Sequence, residues 1–446
     1  MKPLAGRLVA FLALLAIPSV ALAQKEPPDT KELKEVSKYL GLAMMQSAPE
    51  KKAPYFKQAM DQLQVAMSKS PDNAKVWLYA GQVYAGMGDF VGADSAFNKA
   101  EQLHPPYAED IAGEREAAWV EAFNAGISLM EQQDNDGAIA KMEIADKLYP
   151  HRPESKMNLG ALYAAKNDMD KAIAKFEEAM VAIRGPLREK LADEDKATWD
   201  RFETLAKSNI AQLHGGRGVD AFNNSDYDAA YTAFTKAAEI NPHSRDYVFN
   251  RAQALYAKAT DLEEKRNILL DEETALKKEK GKEADAKAKA DEAAAIAQQL
   301  IPLYAQIIET SELTRRVDPN NESLFHLIAR SQKLTGDFTS DAAAKTEWQN
   351  KALATLKLRE ELDFEVADVT IAPGEGQTTI NGTVKNLKVA ANAPIKIKFT
   401  LVGIDGASVG EGEVTVNAPA AEQTAQFQGT IATTGEVAGW KYVPVK

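Results

Sequence analysis

The 446-residue chain reads as mainly α, with stacked helical hairpins, one of them drawn out into an antiparallel coiled-coil finger, followed by a small all-β sandwich. Three observations predict this. Bulky and small residues recur together on paired helical faces, clearly in four copies that are not evenly spaced. A long stretch rich in Lys, Glu and Ala keeps heptad phase on both sides of a glycine. From Asp363 onward the apolar period falls from helical to two.

At the N-terminus, Lys2 and Arg7 precede an apolar run from Leu8 to Ala16, which Pro18 breaks before the small-residue sequence Ala21-Leu22-Ala23. This is the pattern of a secretory signal over residues 1–23, with cleavage after Ala23 and Gln24 as the first mature residue. The run is too short to span a bilayer comfortably, and no later window resembles a membrane helix. Residues 24–31, with Pro27-Pro28-Asp29, read as a mobile polar leader.

Helices follow over residues 32–362. In the stretch from Ala74 to Pro105, Trp77, Ala80, Gly81 and Tyr84 share one helical face, and Ala93, Phe97 and Ala100 repeat the arrangement on a second helix. Small residues let two backbones approach, and the aromatic rings fill what remains. The spacing recurs at Gly126, Leu129, Ala138, Met142, Ala145 and Pro150, then at Leu159, Gly160, Tyr163, Ala172, Phe176 and Ala179. It returns at Gly218, Ala230, Phe234, Ala237 and Pro242. Fainter copies stand at Ala59, Leu63, Ala66 and Pro71, and at Phe325, Ala329 and Gly336. These residues resemble the tetratricopeptide repeat, which couples a Trp-x-x-Leu-Gly-x-x-Tyr helix to an Ala-x-x-x-Phe helix and a closing Pro. The resemblance implies hairpins that cannot bury their apolar faces alone and stack to do so. Residues 108–118 and about 187–210 are extra, rich in helix formers, and read as lengthened first helices.

Between Tyr247 and Arg316 the pattern changes. Val248, Ala252, Leu255, Ala259, Leu262 and Leu269 alternate by four and three, and after Lys280-Gly281-Lys282 the alternation resumes through Ala286, Ala290, Ala293, Ala297, Leu300, Tyr304 and Ile307. This predicts an antiparallel coiled-coil hairpin, inserted at about 258–300 and turning near Gly281. Asp261 with Lys265, Glu273 with Lys277, Glu283 with Lys287 and Asp285 with Lys289 are spaced to pair along its arms. Pro302 is expected to kink or break the returning helix.

Residues 363–446 alternate. Ile395, Ile397, Phe399 and Leu401 interleave with Lys396, Lys398 and Thr400, and five further strands are separated by turn signals such as Pro373-Gly374 and Asp405-Gly406. Six strands with one apolar face make a sandwich. Gly382-Thr383-Val384-Lys385-Asn386 with Phe399-Thr400-Leu401 resembles the FxLYD-type modules of bacterial envelope proteins, although Val402 and Gly403 stand where the Tyr and Asp would be.

The net charge of −12 argues against an extended nucleic-acid surface. The absence of cysteine rules out disulfides, thiol catalysis and thiolate metal sites, and with the export signal it fits a bacterial periplasmic or secreted protein. None of His104, His151, His214, His243 and His326 forms a metal-type pair. Gly406-Ala407-Ser408-Val409-Gly410 matches the nucleophile-elbow spacing, but it opens a strand and no His follows it. Asp134-Asn135-Asp136-Gly137 hints at a calcium loop without the later acids. No catalytic, metal or cofactor constellation is therefore assigned.

The repeat resemblance implies a partner-binding groove lined by first helices. Carried onto this sequence, it comprises Leu78, Gln82, Phe123, Ile127, Met130, Met157, Val219 and Phe222. Relatives that grip a C-terminal carboxylate use Lys and Asn where Leu78 and Gln82 stand, so an apolar peptide or amphipathic helix is the expected ligand. The sequence reads as a non-enzymatic exported scaffold for protein partners of the envelope. The alternative is a glycan- or surface-binding sandwich, with Trp440 and Tyr442 as its aromatics and the repeats as a stalk.

Overall fold

In the computed structural model, the structure describes residues 25–445, so the signal sequence of residues 1–23 lies outside the described residues. The chain divides into two compact units, one ending at Pro150 and one beginning at His151.

The first unit holds α1 (Lys31–Met44), α2 (Pro49–Lys69), α3 (Ala74–Gly86), α4 (Phe90–Leu103), α5 (Ala108–Glu131) and α6 (Asn135–Leu148). They form three antiparallel hairpins: α1 with α2, α3 with α4, and α5 with α6. The leader is tied down instead of mobile: Lys75 pairs with Asp29 (2.9 Å) and Glu26 (3.2 Å), and the Asn73 amide donates to the Pro28 carbonyl. The second unit begins with α7 (Pro153–Ala165), α8 (Met169–Ile183), α9 (Asp193–Asn223) and α10 (Tyr227–Ile240). It continues through α11 (Arg245–Leu276), α12 (Glu283–Arg315), α13 (Glu322–Phe338) and α14 (Ala342–Glu360) before the strands. Each unit stacks its hairpins in the manner of a tetratricopeptide solenoid.

Four of the hairpin turns share one local device. A residue with left-handed backbone, Gly88, Gln133, Asn167 or Ser225, is followed by an aspartate whose carboxylate accepts from a backbone N–H three residues on. These aspartates, Asp89, Asp134, Asp168 and Asp226, cap the second helices at their positive ends. The calcium-like hint at Asp134 is one of these caps, with the Gly137 N–H donating to the carboxylate at 2.9 Å. Across the hairpins, a Cβ added at Gly81, Gly160 or Gly218 would lie 2.2, 2.7 or 2.6 Å from the ring of Phe97, Phe176 or Phe234. The small residue exists so that the ring can lie against the opposing backbone.

Helices α11 and α12 are the finger. The Ala252, Leu255, Ala259, Ala286, Ala293, Leu300, Tyr304 and Ile307 side chains are buried, as the heptad alternation requires. Glu273 pairs with Lys277 as expected, but Lys289 crosses to Glu272 on the other arm and Asp285 turns to Lys282. Helix α12 runs unbroken through the exposed Pro302, correcting the expected break. Gly281 turns the finger with φ of 87° and nothing within 4 Å of where a Cβ would stand. Backbone conformation is thus the whole reason for glycine there. Gly281→Ala should cost about 1 kcal/mol in thermal unfolding, the penalty of a left-handed L-residue.

The strands are β1 (Phe364–Gly374), β2 (Gln377–Asn386), β3 (Pro394–Val402), β4 (Ser408–Asn417), β5 (Thr424–Ala432) and β6 (Gly439–Val445). They form two antiparallel three-stranded sheets, ordered β1-β2-β5 and β4-β3-β6. Their inner faces share a core that includes Val366, Ile380, Val384, Ile397, Phe399, Phe427 and Ile431. The sandwich is clasped to the helices of its own unit. The Tyr442 hydroxyl donates to Asp318 (2.9 Å) and accepts from the Asn320 N–H (3.0 Å), while the Asn320 amide donates to the Phe364 carbonyl. Arg245 holds the other oxygen of Asp318 at 3.1 Å. Burial and the adjacent Asp318 carboxylate push the Tyr442 phenol well above its usual range, so it stays a donor.

Candidate functional site

The eight groove positions fare differently, and the lengthened helices are the reason. In the first unit Leu78 is 9% exposed and clusters with Phe97, Tyr107 and Ile111, so the extra turns at the start of α5 close over it. Gln82 is held by Glu114 of the same extension at 2.7 Å. Phe123, Ile127 and Met130 lie half-buried at i, i+4 and i+7 along α5, with Phe123 stacked on Trp119 at a centroid distance of 5.0 Å. In the second unit Met157 is 7% exposed beneath Ala206 and Ile210 of α9. Leu78 and Met157 are therefore core residues, not groove residues.

Val219 and Phe222 reach a cavity. Val219 is 45% exposed, and Phe222 packs edge-on to Tyr227. With Asn223 on α9, Phe234 on α10, and Asn250 and Gln253 on α11, they line a hollow of about 190 Å³. That volume takes one apolar side chain, well short of a drug-sized ligand. Its chemistry is a greasy floor with three amides at the rim, each able both to donate and to accept. An extended peptide offers the matching groups on its own backbone. Sequence reasoning missed the amides. Asn223 sits at the last turn of its helix, and Asn250 and Gln253 belong to the finger, where only the apolar alternation was read.

Other sequence signals resolve into local structure. No group of three or more His, Asp or Glu side chains is arranged to hold a metal ion among the described residues. His214 is buried in α9, and that burial, aided by the charges of Lys236 and Arg217, holds its imidazole below the usual value and neutral. The nucleophile-elbow spacing is the turn before β4, where the Ala407 N–H donates to Asp405 and Gly406 has φ of 82°. Trp440 and Tyr442 are 5% and 1% exposed and stack inside the sandwich, so they offer no platform to a sugar. No helix among the described residues is long and apolar enough to cross a membrane.

The family model described as Tetratricopeptide repeat matches residues 123–186 and 216–272. Among solved structures, the chain is similar to the TPR domain of P58(IPK), with 14% identity over 74% of this chain and 100% of that one, at a TM-score of 0.23. It is similar to a TPR repeats protein from Bacteroides fragilis, with 16% identity over 58% and 98% of the two chains and a TM-score of 0.29. A tetratricopeptide repeat protein from Parabacteroides merdae gives 13% identity over 73% and 100%, with a TM-score of 0.21. No curated protein matches the chain. The family match covers the hairpins in which Gly126, Gly160 and Gly218 meet Met142, Phe176 and Phe234. Residues 123–186 and 216–272 accordingly match tetratricopeptide repeats.

Proposed function

We propose that the chain is a non-enzymatic scaffold of the bacterial envelope that holds a protein or peptide partner against its repeats. Tetratricopeptide repeats are a protein-interaction architecture, and proteins built of them generally work without catalysis. The observation that carries the reading is the hollow of Val219, Phe222 and Phe234 with its rim of Asn223, Asn250 and Gln253. An apolar anchor enters the hollow, and the amides pair with the peptide bonds on either side of it. Export rests on the charged, apolar and small-residue order of residues 1–23, and the FxLYD-like sandwich fits the same compartment.

A photo-crosslinking residue at Val219, introduced in the native organism, is expected to capture a discrete partner. Asn250→Ala should weaken that partner about tenfold, near 1.4 kcal/mol, by leaving a peptide group unpaired. Capture undiminished by both Asn250→Ala and Phe222→Ser would remove the hollow from the account. Cell fractionation with N-terminal sequencing tests the compartment separately: the mature chain should begin at Gln24, outside the cytoplasm.

A further inference from the structure

The helix stack of the second unit ends in an open seat. In three of the hairpin steps the first helix of the next hairpin packs on both helices of the one before: α3 touches α1 and α2, α5 touches α3 and α4, and α9 touches α7 and α8, while α11 and α13 pack chiefly on the second helix, α10 and α12. The α13–α14 hairpin has no such successor, because the chain passes from α14 into β1 and the sandwich is clasped at the α12–α13 connection through Asp318 and Asn320. Along its seam lies a groove of about 500 Å³, floored by Ala329, Ala352, Leu353 and Leu356 and rimmed by Arg330 and Lys333. Leu353 is 58% exposed. On α14 only Ala352 and Thr355 are buried, so this helix spends little of its apolar surface on its own fold.

We propose that this seam is a second docking site, and that its occupant is an amphipathic helix of another protein with an apolar stripe and acidic flanks. The shape of the occupant follows from what fills the equivalent seams earlier in the chain, a helix lying across two helices. Its charge follows from the rim. The groove is lined by Arg330, Lys333 and His326 and by no carboxylate. Arg330 is held by Glu263, which is 17% exposed and also accepts from the Tyr304 hydroxyl, and His326 pairs with Glu322; Lys333 is 64% exposed, and its 2.7 Å pair with Asp337 is worth little and readily exchanged for a partner's carboxylate. A second copy of this chain in the same seat would set Arg330 and Lys333 against their own kind. The site is distinct from the α9–α11 hollow and does not depend on it.

The test uses the full mature chain and two labelled helical peptides of about 18 residues. Both carry leucine at i, i+3, i+4 and i+7, one flanked by glutamate and the other by lysine, with binding read by fluorescence anisotropy. The glutamate peptide is expected to bind, and the lysine peptide to bind roughly tenfold more weakly. Leu353→Glu should weaken the glutamate peptide by at least roughly tenfold without moving the melting temperature, since the side chain is exposed. Lys333→Glu should narrow or reverse the preference between the peptides, and Phe222→Ser should change neither. Absence of binding by either peptide overturns the proposal, as does binding that Leu353→Glu leaves intact or Phe222→Ser removes. Self-association of the protein that Leu353→Glu abolishes would make a second copy the occupant and overturn it equally.

Discussion

Asp318→Ala is expected to destabilise the second unit by about 3–5 kcal/mol, the effect of removing one partner from a buried, hydrogen-bonded charge cluster. The carboxylate is 3% exposed and serves three donors: the Tyr442 hydroxyl, the Asn321 amide and the Arg245 guanidinium. Without it, Arg245 keeps a largely buried charge with no acceptor at that end, and the Tyr442 phenol loses its acceptor. Tyr442→Phe, which removes a hydroxyl and leaves the ion pair, should cost only about 1–2 kcal/mol. Urea unfolding gives both values. Limited proteolysis adds a spatial readout, because Asp318→Ala should release a fragment near residues 363–445 that Tyr442→Phe releases more slowly. Equal, small effects of the two substitutions would show that the clasp depends on backbone pairing alone.

Phe97→Ala should cost about 3–5 kcal/mol in the first unit, since the ring is fully buried and its loss leaves a cavity against Gly81. The companion substitution separates propensity from packing. In a free helix Gly81→Ala gains about 1 kcal/mol. Here the new methyl would stand 2.2 Å from the Phe97 ring, and overpacking should turn the gain into a loss of about 1–3 kcal/mol. Trimming the ring with Phe97→Leu relieves that clash, so the double variant should be more stable than the sum of the singles predicts. Circular dichroism melts of the four proteins close the cycle, and strict additivity would deny the contact.

Much of the fold was legible because its signals are local. Gly81, Gly160 and Gly218 opposite Phe97, Phe176 and Phe234, the heptad leading to Gly281, and the alternation through Ile395 to Leu401 each lie within about forty residues. The groove was read less well. Its positions came from a repeat of regular length, while this chain lengthens α5 and α9, and the added turns cover Leu78, Gln82 and Met157. Which surface an insertion covers is a question of stacking, and no periodicity encodes it. Asn250 and Gln253 escaped for a related reason, since their helix belongs to the finger by spacing and to the hollow by position. The clasp at Asp318 was invisible, because it joins residues 245, 318 and 442 through separations that leave no pattern.

That clasp has a mechanical consequence. Arg245 begins one arm of the finger, and Asp318 lies three residues past the end of the other, so both roots meet where the sandwich is fastened. Each arm is about 48 Å long at 1.5 Å per residue. The lower part of one arm is braced by Arg330 on Glu263, by the Arg266 guanidinium over Phe338 and by Lys258 on Asp228, so a sideways push at the tip loads those contacts first and reaches the bonds to Tyr442 only through them.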